Sequence, residues 1–146
     1  MGRLIFLDFD GVLRRVTSNP SCFDPDCLEH FESSIRQCLV SKIVITSTWR
    51  IAMSLKELRS RFSTDVAARI VGTTPENIEE ETYERFAEIK SFIERKKLTA
   101  IPWLAIDDDP THFPLGSPVI LTDPTKGFDD ECATRLIQIL SAPAKG

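Results

Sequence analysis

Five short apolar runs constrain this chain more than any other feature. They are Arg3 to Leu7, Lys42 to Thr46, Arg69 to Val71, Trp103 to Ile106 and Pro118 to Leu121. Each is nearly continuous rather than alternating, as a strand buried on both faces should be. Four other stretches carry apolar residues at helical spacing. Asp24 to Leu39 has Leu28, Phe31, Ile35, Cys38 and Leu39. Met53 to Phe62 has Leu55, Leu58 and Phe62. Thr82 to Lys97 has Phe86, Ile89, Phe92 and Ile93, and Asp129 to Leu140 has Cys132, Leu136, Ile137 and Leu140. Asn19-Pro20, Gly72 through Pro75, Asp109-Pro110 and Asp123-Pro124 mark loops. Strands alternating with helices predict an α/β fold: a three-layer, Rossmann-like, five-stranded parallel sheet with helices on both faces.

The length of 146 residues fits one domain spanning 1–146. A net charge of −4 argues against a generally basic nucleic-acid binder but leaves room for a local basic patch. No apolar run approaches the roughly 18 residues of a membrane span, so no membrane partner is expected. Cys22, Cys27, Cys38 and Cys132 form no Cys-x-x-Cys pair. Free thiols in a reducing, cytoplasmic setting are the expectation. His30 and His112 are too few and too scattered for a histidine-based metal site.

In an open parallel sheet, ligands bind beyond the carboxyl ends of the strands. The first run ends at Asp8-Phe9-Asp10-Gly11, the second at Thr46-Ser47-Thr48-Trp49-Arg50 and the fourth at Asp107-Asp108-Asp109. Adjacent strands lie about 4.8 Å apart, so these ends converge. Clustered carboxylates raise one another's pKa unless a cation is present. Oxygen-only ligands favour Mg²⁺ over Zn²⁺. A cation held by aspartates can also bind a phosphate, a Ser or Thr hydroxyl can donate to it, and a basic residue can neutralise its transition-state charge.

These residues resemble the motifs of the haloacid dehalogenase (HAD) superfamily of phosphotransferases. Asp8-Phe9-Asp10-Gly11-Val12-Leu13 matches the first motif and Ile43-Val44-Ile45-Thr46-Ser47 the second. Lys90 is the best candidate for the third, with Arg85 as rival, and Ile106-Asp107-Asp108 matches the fourth. The motifs stand in the family's order and cover nearly the whole chain. More narrowly, Ser47-Thr48-Trp49-Arg50, Arg85-x-x-Glu88-Ile89-Lys90 and Trp103-Leu104-Ala105-Ile106-Asp107-Asp108 look like a capless branch that includes HAD domains attached to RNA-repair proteins.

The resemblance implies a Mg²⁺-dependent phosphatase with named roles. Asp8 attacks phosphorus and forms an aspartyl-phosphate. Asp10 protonates the leaving oxygen and later takes a proton from water, while its backbone carbonyl helps hold Mg²⁺. Ser47 orients the phosphoryl group, with Thr46 and Thr48 competing for that role. Lys90 or Arg85 supplies the positive charge. Asp8 and Asp107 bind Mg²⁺ through their side chains, and Asp108 joins directly or through water; Asp109, with Pro110 next, is weighed as a turn cap instead. Arg14, Arg15 and Arg50 are weighed between phosphate binding and surface charge, and Trp49 between core packing and base stacking.

Neither gap between motifs can hold a cap domain, so the site should be open. The substrate expected is a phosphorylated molecule: a nucleic-acid end, a phosphoprotein, a nucleotide or a small phosphate ester. A monomer or small homo-oligomer is expected. The competing reading is a non-catalytic or phosphotransfer signalling domain with a phospho-accepting Asp. In a receiver-like module, however, the acidic pair follows strand one, whereas here it follows strand four.

Overall fold

The computed structural model describes residues 2–76 and 82–142. Its five strands are β1 (Leu4–Leu7), β2 (Lys42–Ile45), β3 (Ile70–Thr73), β4 (Trp103–Asp107) and β5 (Val119–Leu121). They form one sheet in the order β3-β2-β1-β4-β5, and every pairing is parallel. The α/β class, strand number and parallel sense expected from the apolar runs are therefore those observed.

The register places the chemistry. Leu7 lies opposite Ile45 on one side and Ile106 on the other. The next residues, Asp8, Thr46 and Asp107, therefore emerge level at the carboxyl edge. The Asp8 N–H donates to the Ile106 carbonyl at 3.1 Å, and the Thr46 N–H to that of Leu7 at 2.9 Å, so the ladder continues one residue past the strands.

β1 divides the core by its alternation. Ile5 and Leu7 face a layer containing Phe31 and Ile35 of α1 (Pro25–Ile35) and Leu136 of α6 (Asp130–Ser141). Leu4 and Phe6 face Ile89, Phe92 and Ile93 of α5 (Glu84–Arg95). Phe6 meets Phe92 and Trp103 edge-on, with centroids 5.8 and 5.9 Å away. Fully burying such a ring contributes roughly 1.5–3 kcal/mol.

The stretch Met53 to Phe62 departs from the single helix its periodicity predicts. Trp49–Ala52 forms α2, Leu55–Arg59 forms α3 and Thr64–Ala67 forms α4. Met53 is extended, and Ser54 begins α3 with a capping box: its hydroxyl accepts from the Glu57 N–H at 3.1 Å, and Glu57 accepts from the Ser54 N–H at 3.2 Å. Two backbone donors are satisfied reciprocally, which favours a new helix start over continuation. α1 likewise stops at Ile35 rather than Leu39. Among the described residues, only α1 and loops separate β1 from β2, and only short helices and β3 separate β2 from α5. No cap domain covers the sheet edge among the described residues.

Candidate active site

Asp8, Asp107 and Asp108 converge from the ends of β1 and β4, and one carboxylate oxygen of each lies within 4.8 Å of the others. Asp8 is 5% exposed and Asp107 1%. Burial, reinforced by Asp107 and Asp108, pushes the Asp8 carboxyl up to about 7, although Arg85 and the Phe9 N–H oppose the shift. Burial and the charge of Asp107 push Asp108 up to about 6. Three acidic groups held this close are costly without a compensating cation.

The donor set fits a hard divalent ion. It consists of oxygen atoms only, as Mg²⁺ prefers. Asp107 uses Oδ1 to accept the Asp109 N–H at 2.9 Å, while its buried Oδ2 has no hydrogen bond among the described residues. That oxygen could take a place on such an ion. Asp8, Asp107 and Asp108 could hold the ion.

Gly11 keeps the cluster compact. Its φ is +77°, and a Cβ there would lie 2.1 Å from Asp108 Oδ2. The preceding turn closes with the Val12, Leu13 and Arg14 N–H groups all donating to the Phe9 carbonyl. The Thr122 hydroxyl ties this turn to β5 by donating to the Gly11 carbonyl at 2.7 Å. Asp10, two residues beyond Asp8, remains 40% exposed at its side chain. Its Oδ1 accepts from Arg14 Nε at 2.9 Å and from Trp49 Nε1 at 3.2 Å.

The three hydroxyl residues beyond β2 have different placements. Ser47 is fully buried, and its Oγ accepts from the Trp49 N–H at 3.3 Å. Thr46 is buried and engages its surroundings through its carbonyl, which accepts from Arg50 Nη1 at 2.7 Å and from Arg85 Nη1. Thr48 is exposed and lines a polar cleft of about 350 Å³ with Arg85 and His112.

Arg85, not Lys90, reaches the acidic cluster. Arg85 Nε lies 3.7 Å from Asp107 Oδ2, and neither atom has a hydrogen bond among the described residues. Lys90 is exposed and lines a different hollow with Phe86, Ala87 and Glu94. Lys90, the first candidate for the basic residue, is thus not brought to the cluster. α5 buries Ile89, Phe92 and Ile93, and a position five residues from Arg85 turns away from the face that Arg85 occupies.

Arg50, which also lines the polar cleft with Thr48, is committed to protein partners. It donates to the carbonyls of Thr74 (2.9 Å), Thr46 (2.7 Å), Ser47 (3.0 Å) and Pro75 (3.3 Å), and to Glu88 Oε2 (2.6 Å). Glu88 in turn accepts from Arg85 at 3.1 Å. This buried Arg50–Glu88–Arg85 chain joins the ends of β2 and β3 to α5. Glu88 had no assigned role in the sequence, although its i,i+3 spacing from Arg85 was a usable signal.

Arg14 is turned onto Asp10, and Arg15 onto Asp24 and Asp26. Asp109 caps the following 3₁₀ turn (Pro110–His112) by accepting from the Thr111 N–H at 2.9 Å and hydroxyl at 2.6 Å. His112 places Nδ1 3.5 Å from Asp107 and Nε2 3.4 Å from Asp109, which holds its pKa above the ordinary value. Sequence reasoning gave His112 no place beside the acidic strand end. The four cysteines are free, and no helix among the described residues is long and apolar enough to cross a membrane.

A model of the family described as "HAD domain in Swiss Army Knife RNA repair proteins" matches residues 4–133. No curated protein and no solved structure matches the chain.

Proposed function

The chain belongs to the family of HAD domains in Swiss Army Knife RNA repair proteins, and from that membership of a hydrolase-type family we propose that it is a Mg²⁺-dependent phosphatase acting through Asp8 on an accessible phosphomonoester. The observation that carries this reading is the convergence of Asp8, Asp107 and Asp108 within 4.8 Å, with the Arg85 guanidinium beside them.

In this reading Asp8, Asp107 and Asp108 hold Mg²⁺, aided by the Asp10 carbonyl. When bound, the ion supplies positive charge that lets Asp8 stay ionised and lets phosphoryl oxygens approach. An Asp8 oxygen attacks phosphorus and forms an aspartyl-phosphate. Asp10 protonates the departing oxygen, then takes a proton from the water that releases phosphate. Arg85 neutralises charge on the phosphoryl oxygens, and Ser47 orients them.

The uncapped edge suits a large substrate. A phosphorylated nucleic-acid end is the substrate we favour, since the family is named for RNA repair; nucleotides and small phosphate esters also fit an open site. The enzyme is read as cytoplasmic and as a monomer or small homo-oligomer.

The test is phosphate release from a panel of 3′- and 5′-phosphorylated oligonucleotides, mononucleotides and sugar phosphates, with Mg²⁺ and with chelator. Turnover that needs Mg²⁺ and disappears in Asp8→Asn is expected. No turnover across the panel would sink the phosphatase reading. A phosphorylated Asp8 stable for hours without turnover would favour a signalling domain instead.

A further inference from the structure

Resting on the phosphatase reading of Asp8, we propose that Trp49 and Arg14 are positioning residues that direct the proton of Asp10 onto its Oδ2. Both donors point at the other oxygen: Arg14 Nε lies 2.9 Å and Trp49 Nε1 3.2 Å from Asp10 Oδ1. Asp10 Oδ2 has no hydrogen bond among the described residues, and the side chain is partly open to solvent.

An indole N–H and a guanidinium N–H can only donate. An oxygen accepting from both has no place for a proton of its own. When Asp10 is neutral, its proton therefore resides on Oδ2, and rotation of the carboxyl group would break two hydrogen bonds. A general acid gains from this restriction, because proton transfer needs the donor held in line with the reacting oxygen.

Both donors are themselves fixed. The Trp49 ring lies 5.3 Å from Phe9 and 5.3 Å from Phe23, with the Arg61 guanidinium 5.7 Å from its centroid. Its ring belongs to the core and its polar tip to the site, a division that aromatic residues with one N–H allow. Arg14 is anchored through Nη1 to the carbonyls of Arg15 at 3.0 Å and Ser18 at 3.2 Å. Its own carbonyl accepts the Gly11 N–H at 2.7 Å, so the turn that makes Asp10 also places Arg14.

The step balances as follows. An Asp8 oxygen forms a bond to phosphorus as the bond to the leaving oxygen breaks. The electron pair stays on that oxygen, and the proton on Asp10 Oδ2 moves to it. Asp10 becomes a carboxylate facing Arg14. In the second step it takes a proton from the water that attacks phosphorus, and Asp8 is released.

The experiment compares kcat/KM for phenyl phosphate, whose leaving group needs a proton, with dinitrophenyl phosphate, whose leaving group does not. Trp49→Phe retains the ring and removes the N–H; Arg14→Met retains the aliphatic stem. Each is made alone and with Asp10→Asn, and a melting transition shows that each is folded. Each single variant should lose about tenfold on phenyl phosphate and less than about twofold on dinitrophenyl phosphate. In Asp10→Asn neither should bring a further loss. Equal losses on the two esters, or the full loss persisting in Asp10→Asn, would overturn the placement and leave the phosphatase reading standing. If Trp49→Phe does not fold, the Arg14→Met pair decides by the same criteria. A wild-type protein that turns over neither ester overturns both.

Discussion

Arg50 Nη2 lies 2.6 Å from Glu88 Oε2, with the two side chains 4% and 5% exposed. Arg85 meets the other Glu88 oxygen, so one buried carboxylate serves two guanidinium groups. Removing it strands both charges away from water. Glu88→Leu should therefore destabilise the protein by about 3 kcal/mol, because breaking a buried pair costs more than the pair contributes. Urea denaturation measures this, and a double variant Arg50→Met, Glu88→Leu should recover part of the loss.

The two candidate basic residues of α5 should separate cleanly in kinetics. Arg85→Met should lower kcat by about a hundredfold or more, the scale of losing one charge-stabilising donor. Lys90→Met should stay within about twofold, as surface changes usually do. Steady-state phosphate release on one substrate, with both variants shown to be folded, checks the pair.

The upward shifts of Asp8 and Asp108 carry a sign for stability. Both folded values lie above the ordinary 3.8, at about 7 and about 6. The folded, metal-free protein thus binds protons that the unfolded chain releases. The stability tied to those protons is complete below pH 3.8 and is lost as pH rises through 6 to 7. In chelator, Asp8→Asn should melt above the wild type at about pH 8, and the gap should close toward about pH 4. Adding Mg²⁺ should raise the wild-type melting temperature more than that of the variant. A gap that does not change with pH would mean that burial and the neighbouring carboxylates do not hold Asp8 above its ordinary value.

Gly11→Ala should do two things together. A methyl 2.1 Å from Asp108 Oδ2 cannot be accommodated, and the φ of +77° disfavours any side chain. A loss of about 2 kcal/mol is expected from the backbone alone. Asp108 must also move, so the Mg²⁺ concentration for half-maximal activity should rise. Calorimetry and a Mg²⁺ titration read the two effects separately.

The sheet was legible because a strand buried on both faces is a run of apolar residues, and such runs are visible without knowing their partners. Strand ends then named Asp8, Thr46, Ser47 and Asp107 as neighbours. The break at Ser54 was legible too, in the spacing Ser54-x-x-Glu57, but apolar periodicity ran across it and concealed it. Choosing Lys90 over Arg85 weighed distance along the chain to Asp107. The phase of α5 separates the two instead, because Ile89, Phe92 and Ile93 turn one face inward and Lys90 falls outside it. The Arg50–Glu88 and Trp49–Asp10 contacts could not be read at all. Their partners are 38 and 39 positions apart, and no local pattern marks a polar contact made across a sheet edge.

β1 is central in space, and its partners come from distant parts of the chain: Leu4 is paired with Lys42 on one side and Trp103 on the other. A ribosome making this protein releases Asp8 long before Asp107. Until β4 emerges, the proposed nucleophile lacks Asp107 and Asp108 beside it, and one flank of its strand is unpaired. The nascent chain thus passes through a stage in which the apolar edge of β1 is open to other chains, and the proposed metal ligands have not yet come together. Non-local closure of this kind is slow and exposes sticky edges. Mg²⁺ should accordingly slow unfolding of the finished protein and leave the early steps of its folding unchanged.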